Sequence, residues 1–264
     1  MRRRTPFALA TVVFVRGSAP RHAGSRMLVL PEIFYGTIGG GPLEALVLRD
    51  ARLALRDGRG RRTLYSLAPG GENPTGLYCG GQVEVIVEPV MPVARLIIFG
   101  GGHIGNALAR LALGLDFAII GIEDRPGFLK QFPPGVKRLA AKNWEDPQWT
   151  PPPMDAASYC LIATRCHDTD LAVLKKLVAM KPAYLGLIGS RTKRKAMEKG
   201  LRAAGLPAGM QDFTSPAGLA IGAETPAEIA LSVLAEIIGL RRTGANALAA
   251  RVNGDSPQRH KGTK

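Results

Sequence analysis

A strand-length apolar run at residues 96–99 leads directly into Gly100-Gly101-Gly102-His103-Ile104-Gly105, which opens a helical stretch. A second apolar run at 117–122 ends beside Asp124, 19 residues after Gly105. No other feature restricts the fold as much. A glycine turn between strand and helix, with an acid at the tip of the next strand, marks a parallel α/β sheet built to bind a dinucleotide. Gly100 permits the tight turn, Gly102 lets the backbone approach a phosphate, and Gly105 lets the helix lie against its strand. The helix start, from Gly101 through His103 and Ile104, turns N–H groups toward an anion. Asp124, followed by Arg125, would accept hydrogen bonds from ribose hydroxyls, and Glu123 is the alternative acid. The structural alternative is a loop that keeps this shape and binds no nucleotide.

The pattern continues past this unit. Residues 159–163 and 184–188 are further β-rich runs separated by helical stretches, so a doubly wound parallel sheet covered on both faces is expected from residue 93 to about 242. Its last element is a helix opened by Thr225-Pro226-Ala227-Glu228, a capping box with proline in the first turn. Ile229, Val233, Leu234, Ile237 and Ile238 then form an apolar stripe.

Residues 1–92 read as a smaller mixed α+β domain. Strands at 7–15, 26–30, 63–67 and 82–88 surround a helix from Pro42 to about Asp57, with Pro89 and Pro92 ending the last strand at the domain boundary. Arg2-Arg3-Arg4 before an apolar run also has the shape of an export signal, with Gly17-Ser18-Ala19 as a cleavage point; a β-branched strand ending at a Gly-Ser-Ala-Pro turn is the competing reading. No run approaches the ~18 apolar residues of a membrane span.

Charge is where composition departs from the ordinary. The chain of 264 residues carries 35 Lys plus Arg against 21 Asp plus Glu, a net +14, which points first to an anionic partner. Aromatic residues are only 6%, so a nucleic-acid surface has little on which to stack bases, and neither nucleic acid nor membrane is expected as a partner. Three cysteines with no CxxC spacing form neither a disulfide framework nor a zinc site, which places the chain in a reducing cytoplasm and predicts no metal. Residues 243–264 read as a basic, frayed tail.

Three further constellations could carry chemistry. Gly189-Ser190-Arg191-Thr192-Lys193-Arg194-Lys195 follows a strand and starts a helix, so Ser190 and Arg191 suit a phosphate clamp while Lys193 to Lys195 read as a solvated face. Thr164-Arg165-Cys166-His167-Asp168-Thr169-Asp170 offers His167 as an oriented imidazole and Cys166 as a soft ligand or nucleophile, or simply an Asp168 or Thr169 helix cap. Cys79, in a glycine-flanked loop, could expose a thiolate, whereas Cys160 reads as a small buried residue.

Taken together these segments resemble one family. Gly17-Ser18-Ala19-Pro20-Arg21, Gly24-Ser25-Arg26-Met27, Gly36-Thr37-Ile38-Gly39-Gly40-Gly41-Pro42-Leu43-Glu44 and Cys79-Gly80-Gly81 resemble the amino-terminal domain of the XdhC/CoxF accessory proteins. The glycine loop, Asp124-Arg125, His167 with Asp170, Gly186-Leu187-Ile188-Gly189-Ser190-Arg191 and Gly222-Ala223-Glu224-Thr225-Pro226 resemble their Rossmann domain. The resemblance, in unbroken order from about residue 10 to about 240, implies a maturation factor that binds molybdenum cofactor (molybdopterin), protects it during sulfuration and helps insert it into xanthine dehydrogenase-type molybdenum hydroxylases. It implies a cofactor chaperone rather than an enzyme with turnover, with the molybdoenzyme and a cysteine desulfurase as partners, and it leaves a homodimer open. It adds Arg21, Arg26, Gly39, Gly40 and Cys79 to the cofactor-binding set. The sequence departs from the family in three places: residues 1–6 stand where a helix is common, Pro42 where a Cys is frequent, and Ala220 where an Asp is usual. The alternative function is an NAD(P)-dependent oxidoreductase, with His103 or His167 as acid or base.

Overall fold

The computed structural model describes residues 5–70, 73–76, 80–206 and 213–243. The chain divides into two compact units, one up to Pro92 and one from Val93.

In the first unit, β1 (Phe7–Arg16), β2 (Arg26–Val29), β3 (Phe34–Gly36), β4 (Arg61–Ser66) and β5 (Gln82–Val90) form an antiparallel sheet in the order β3-β2-β1-β5-β4. The helix α1 (Gly41–Asp57) packs on one face. Alternation decides which side chains meet it: Ala8, Ala10, Val12, Val83, Val85 and Val87 point to the helix and are buried. Each fully buried Val or Leu there contributes roughly 1.5–3 kcal/mol. The apolar run at the start of the chain is thus a strand, paired on both sides by β2 and β5.

Three local expectations change. Pro89 does not end β5: β4 pairs only as far as Val87, so Pro89, opposite Ala8 of β1, lies where the other side of the strand needs no N–H donor. The strand β3 is not evident in the sequence, being three exposed residues at the sheet edge, paired with β2. The buried face of α1 includes Asp50, whose carboxylate accepts the Tyr65 hydroxyl at 2.6 Å; burial is the main cause raising the Tyr65 phenol. Arg49, Arg52 and Arg56 lie on the exposed face as expected.

The second unit is a Rossmann-type parallel sheet in the order β10-β9-β6-β7-β8. Its strands are β6 (Arg95–Phe99), β7 (Ala118–Glu123), β8 (Lys137–Ala140), β9 (Ser158–Ile162) and β10 (Tyr184–Leu187). Its helices are α2 (His103–Ala112), α3 (Pro126–Leu129), α4 (His167–Leu177), α5 (Arg191–Ala203) and α6 (Pro226–Thr243). All five residues of β6 and of β9 are buried, because both faces of the sheet are covered. Leu96, Ile98, Leu108, Val233 and Leu234 form one layer with α2 and α6; Ile97, Phe99, Val173, Leu174 and Met197 form the other with α4 and α5. At the amino-terminal end of the strands, Arg95 bonds Ser158 and pairs with Asp155 at 2.9 Å, tying β6 to β9.

The order puts β6 and β9 side by side with their following helices on opposite faces, which opens a crevice above their carboxyl ends. The edge strand β8 is not foreseen from the sequence, since Lys137-Arg138-Leu139-Ala140 is short and mostly exposed. The Thr225 capping box forms as read: Glu228 N donates to Thr225 Oγ1 at 3.3 Å, and Glu228 Oε2 accepts Thr225 N at 3.0 Å. Among the described residues no helix is long and apolar enough to cross a membrane. Cys79 and the basic tail beyond residue 243 lie outside the described residues.

Candidate functional site

The glycine loop after β6 has the geometry its residues require. Gly100 sits at φ +115°, and a Cβ there would lie 2.1 Å from the Ala163 carbonyl oxygen at the end of β9. A Cβ on Gly105 would lie 2.0 Å from the Gly100 carbonyl oxygen, so α2 can approach its strand only with glycine at that position. Gly102 is different: a Cβ would meet nothing within 4 Å, so its surface faces open space at the helix start.

The two acids at the tip of β7 take different positions. Glu123 is 1% exposed and accepts Gly101 N at 2.7 Å, Asp124 N and Arg125 N at 3.1 Å each, and the Arg125 guanidinium at 2.9 and 3.0 Å. Burial alone would raise its carboxyl; the hydrogen bonds from Arg125, Asp124 and Gly101 outweigh that and hold it down at about 2. Glu123 is therefore the brace of the glycine loop, with its acceptors filled by the protein, and not a free ribose acceptor. Asp124 keeps capacity. Its Oδ2 accepts a hydrogen bond from Arg165, while its buried Oδ1 has no hydrogen-bond donor from the protein, Arg125 Nε standing 3.8 Å away. The Arg125 guanidinium stacks 3.8 Å above the Phe128 ring.

From α4 and α5, the helices that follow β9 and β10, the crevice receives an ion pair whose carboxylate is buried. Asp170, 1% exposed, accepts Thr164 N at 3.0 Å, Thr164 Oγ1 at 2.5 Å and the Lys193 ammonium, which also donates to the Ile188 carbonyl oxygen at 2.9 Å. Within the 189–195 segment this changes the expectation for Lys193 alone. Ser190 is the N-cap of α5, accepting Lys193 N at 3.2 Å, and Arg191 is exposed in the first turn. Lys193, expected on a solvated face, reaches back over the strand ends because Asp170 is buried there and needs a cation. His167 is likewise exposed at the first position of α4, and the group that reaches the crevice is Asp170.

Cys166 caps α4 together with Thr169, whose Oγ1 lies 3.4 Å from Sγ. Hydrogen bonds from the Thr169 hydroxyl and backbone, with the Arg165 charge nearby, lower the thiol of this exposed cysteine. Cys160 is buried, as the sequence implies, and its desolvation raises the thiol. Among the described residues no group of three or more His, Cys, Asp or Glu is placed to hold a metal ion.

These elements enclose a cleft of about 360 Å³ lined by Gly102, His103, Arg125, Thr164, Arg165 and Lys193, among others. Three carboxylates, Glu123, Asp124 and Asp170, pair with three cations, Arg125, Arg165 and Lys193, so the side-chain charges balance. The preference for an anion then rests on the unpaired N–H groups at the start of α2 and on the outward side of each guanidinium. Arg165 and Lys193 are absent from the sequence-based set; the signal available is that Arg165 lies in the loop after β9 and Lys193 in the first turn of the helix after β10. The other candidates belong to the first unit. There Arg21 is exposed after β1, Arg26 is exposed at the start of β2, and Gly39 (φ +139°) and Gly40 (φ +76°) lead into α1, with Gly39 close against Pro20.

Comparison with known proteins agrees with this architecture. The family model described as the XdhC Rossmann domain matches residues 96–237, and that of the XdhC and CoxI family matches residues 1–66. The uncharacterized protein YqeB of Escherichia coli K12 is 34% identical over 250 residues, which is 92% of this chain and 45% of that protein. A probable xanthine dehydrogenase subunit of Bacillus subtilis 168 is 33% identical over 164 residues, 60% of this chain and 46% of the relative. This chain thus spans less than half the length of either curated relative. A solved chain described as a xanthine dehydrogenase of Bacillus halodurans has a TM-score of 0.49 and 22% identity, covering 93% of this chain and 94% of its own.

Proposed function

This chain belongs to the XdhC and CoxI family, and on that premise we propose that it is an accessory protein for a xanthine dehydrogenase-type molybdenum hydroxylase, binding molybdenum cofactor and assisting its sulfuration and insertion. The observation that carries the reading is the strand-end cleft, where the start of α2 meets Arg125, Arg165 and Lys193, with Asp124, whose Oδ1 has no donor from the protein, bound to Arg165. Molybdopterin is phosphate-bearing and also carries N–H donors, so a site offering both anion contacts and a free acceptor fits it. The cofactor supplies the redox and sulfur chemistry of the enzyme it reaches. The protein's part is to hold and to shield. Backbone N–H groups at Gly102 to Ile104 take the phosphate, Arg125 and Arg165 cover it, and Asp124 accepts from the ligand. Because each cation keeps its own carboxylate, the ligand is held by shared hydrogen bonds and not by bare charge, which suits a cofactor that must later be released.

The test is uptake. Purified protein mixed with freshly released molybdopterin should retain the pterin near one equivalent, read as oxidised-pterin fluorescence, with molybdenum following in elemental analysis. Failure to retain any pterin overturns the reading.

The second reading, an NAD(P)-dependent oxidoreductase, is favoured by the intact glycine loop alone. Glu123 is saturated by its own loop, so in that reading Asp124 is the acid left for a ribose. Saturable quenching of NADPH fluorescence by the protein, lost in Gly102→Asp, would favour it.

A further inference from the structure

A second cavity, of about 550 Å³, lies on the outer side of α2, lined by His103, Asn106, Arg110, Gln131, Thr225 and Pro226, among others. His103 lines this cavity and the strand-end cleft alike, so the two spaces lie on either side of one residue at the start of α2. Its lining is unlike that of the cleft. The amide groups opening α6 are already capped, Glu224 N and Thr225 N both donating to Glu228 Oε2 at 2.9 and 3.0 Å, so this is not a helix-end anion site. Instead Ala107, Pro226 and Ala227 give an apolar wall, and Asn106 and Gln131 supply amide groups.

Asn106 is the telling residue. Its Nδ2 donates to the Gly101 carbonyl oxygen at 3.2 Å, which fixes the amide, and its Oδ1 is then buried without any donor from the protein. A buried acceptor against an apolar wall, beside a second amide, is suited to the N–H edge of a flat heterocycle.

We propose that the bound cofactor lies across the amino terminus of α2, its phosphate in the strand-end cleft and its pterin ring in the cavity between α2 and α6, where a ring N–H donates to Asn106 Oδ1 and Gln131 meets the same edge. This arrangement rests on the reading of molybdopterin as the ligand. It adds that Asn106 and Gln131 are its specificity residues.

The two ends can be probed separately on the full chain, with inorganic pyrophosphate for the cleft and phosphate-free 6-hydroxymethylpterin for the cavity. Asn106→Leu and Gln131→Ala should each weaken the pterin about tenfold and leave pyrophosphate unchanged. Lys193→Ala should do the reverse. Gln131 is exposed, so its variant reports on binding even where Asn106→Leu disturbs the glycine loop. Wild-type affinity for the pterin in both Asn106→Leu and Gln131→Ala overturns the arrangement, as does a wild-type protein that does not bind the pterin. If that same wild-type protein takes up intact molybdopterin, the proposed function stands without it; if it takes up none, both fall.

Discussion

Glu123 shows how one side chain turns a glycine sequence into a rigid loop. Five hydrogen bonds converge on a carboxylate that is almost wholly out of solvent. Removing its charge leaves the Arg125 pair broken and several N–H donors competing for one oxygen, so Glu123→Gln should cost about 3 kcal/mol at pH 7. A carboxyl held at about 2 in the fold, against 4.5 when unfolded, stabilises fully above 4.5 and loses that contribution as pH falls toward 2. The gap between wild type and variant in urea denaturation should therefore narrow between pH 5 and pH 3. A gap that stays constant would mean the carboxylate is not depressed. Cys166 makes a separate residue-scale case. With Thr169 and Arg165 favouring its thiolate, it should alkylate with iodoacetamide well ahead of buried Cys160, and Thr169→Val should slow it roughly three- to tenfold at neutral pH, followed site by site by mass spectrometry.

At the scale of elements, the glycines of the strand-to-helix turn divide into those the fold needs, Gly100 and Gly105, and one it does not, Gly102, which faces open space. Gly100→Ala places a methyl 2.1 Å from a backbone oxygen in a positive-φ conformation, and should lower the melting temperature by many degrees or prevent folding. Gly102→Ala has open space and extended backbone, so the melting temperature should change little while molybdopterin retention falls. Equal destabilisation by both would contradict this division. The same turn shows what is readable in advance. Strand, glycines, helix and acid are contiguous, so period and spacing reveal them, and the capping box of α6 is legible for the same reason. The ion pairs joining separate strand ends are not: Lys193 and Asp170 are 23 residues apart, and only the parallel order of β9 and β10 brings them together. Nor can spacing choose between Glu123 and Asp124, since adjacent residues of a strand face opposite sides and the choice depends on which side the glycine loop lies. The missed strands β3 and β8 are short edges, where exposure removes the hydrophobic alternation that reports a strand.

At the scale of the whole molecule, the net charge of +14 is spread along the chain and not focused on the cleft. Arg61 with Asp57, Arg62 with Glu84 and Arg194 with Glu198 are paired at the surface, where such pairs are worth little, and the cleft itself is balanced. The three hydrophobic clusters divide the same way: one is built from α1 and the antiparallel sheet, the other two from the parallel sheet and its helices. Met91 and Val93, between β5 and β6, are about half exposed. Each unit therefore has its own buried polar anchor, Asp50 with Tyr65 in the first and Glu123 with Arg125 in the second. Tyr65→Phe leaves Asp50 without its closest donor and should lower the stability of the first unit by about 1–3 kcal/mol. Scanning calorimetry should resolve two transitions, one shifted by Tyr65→Phe alone and the other by Glu123→Gln alone. A single transition moved by both substitutions would show that the units unfold as one, and that a variant in either unit perturbs cofactor retention through the stability of the whole chain.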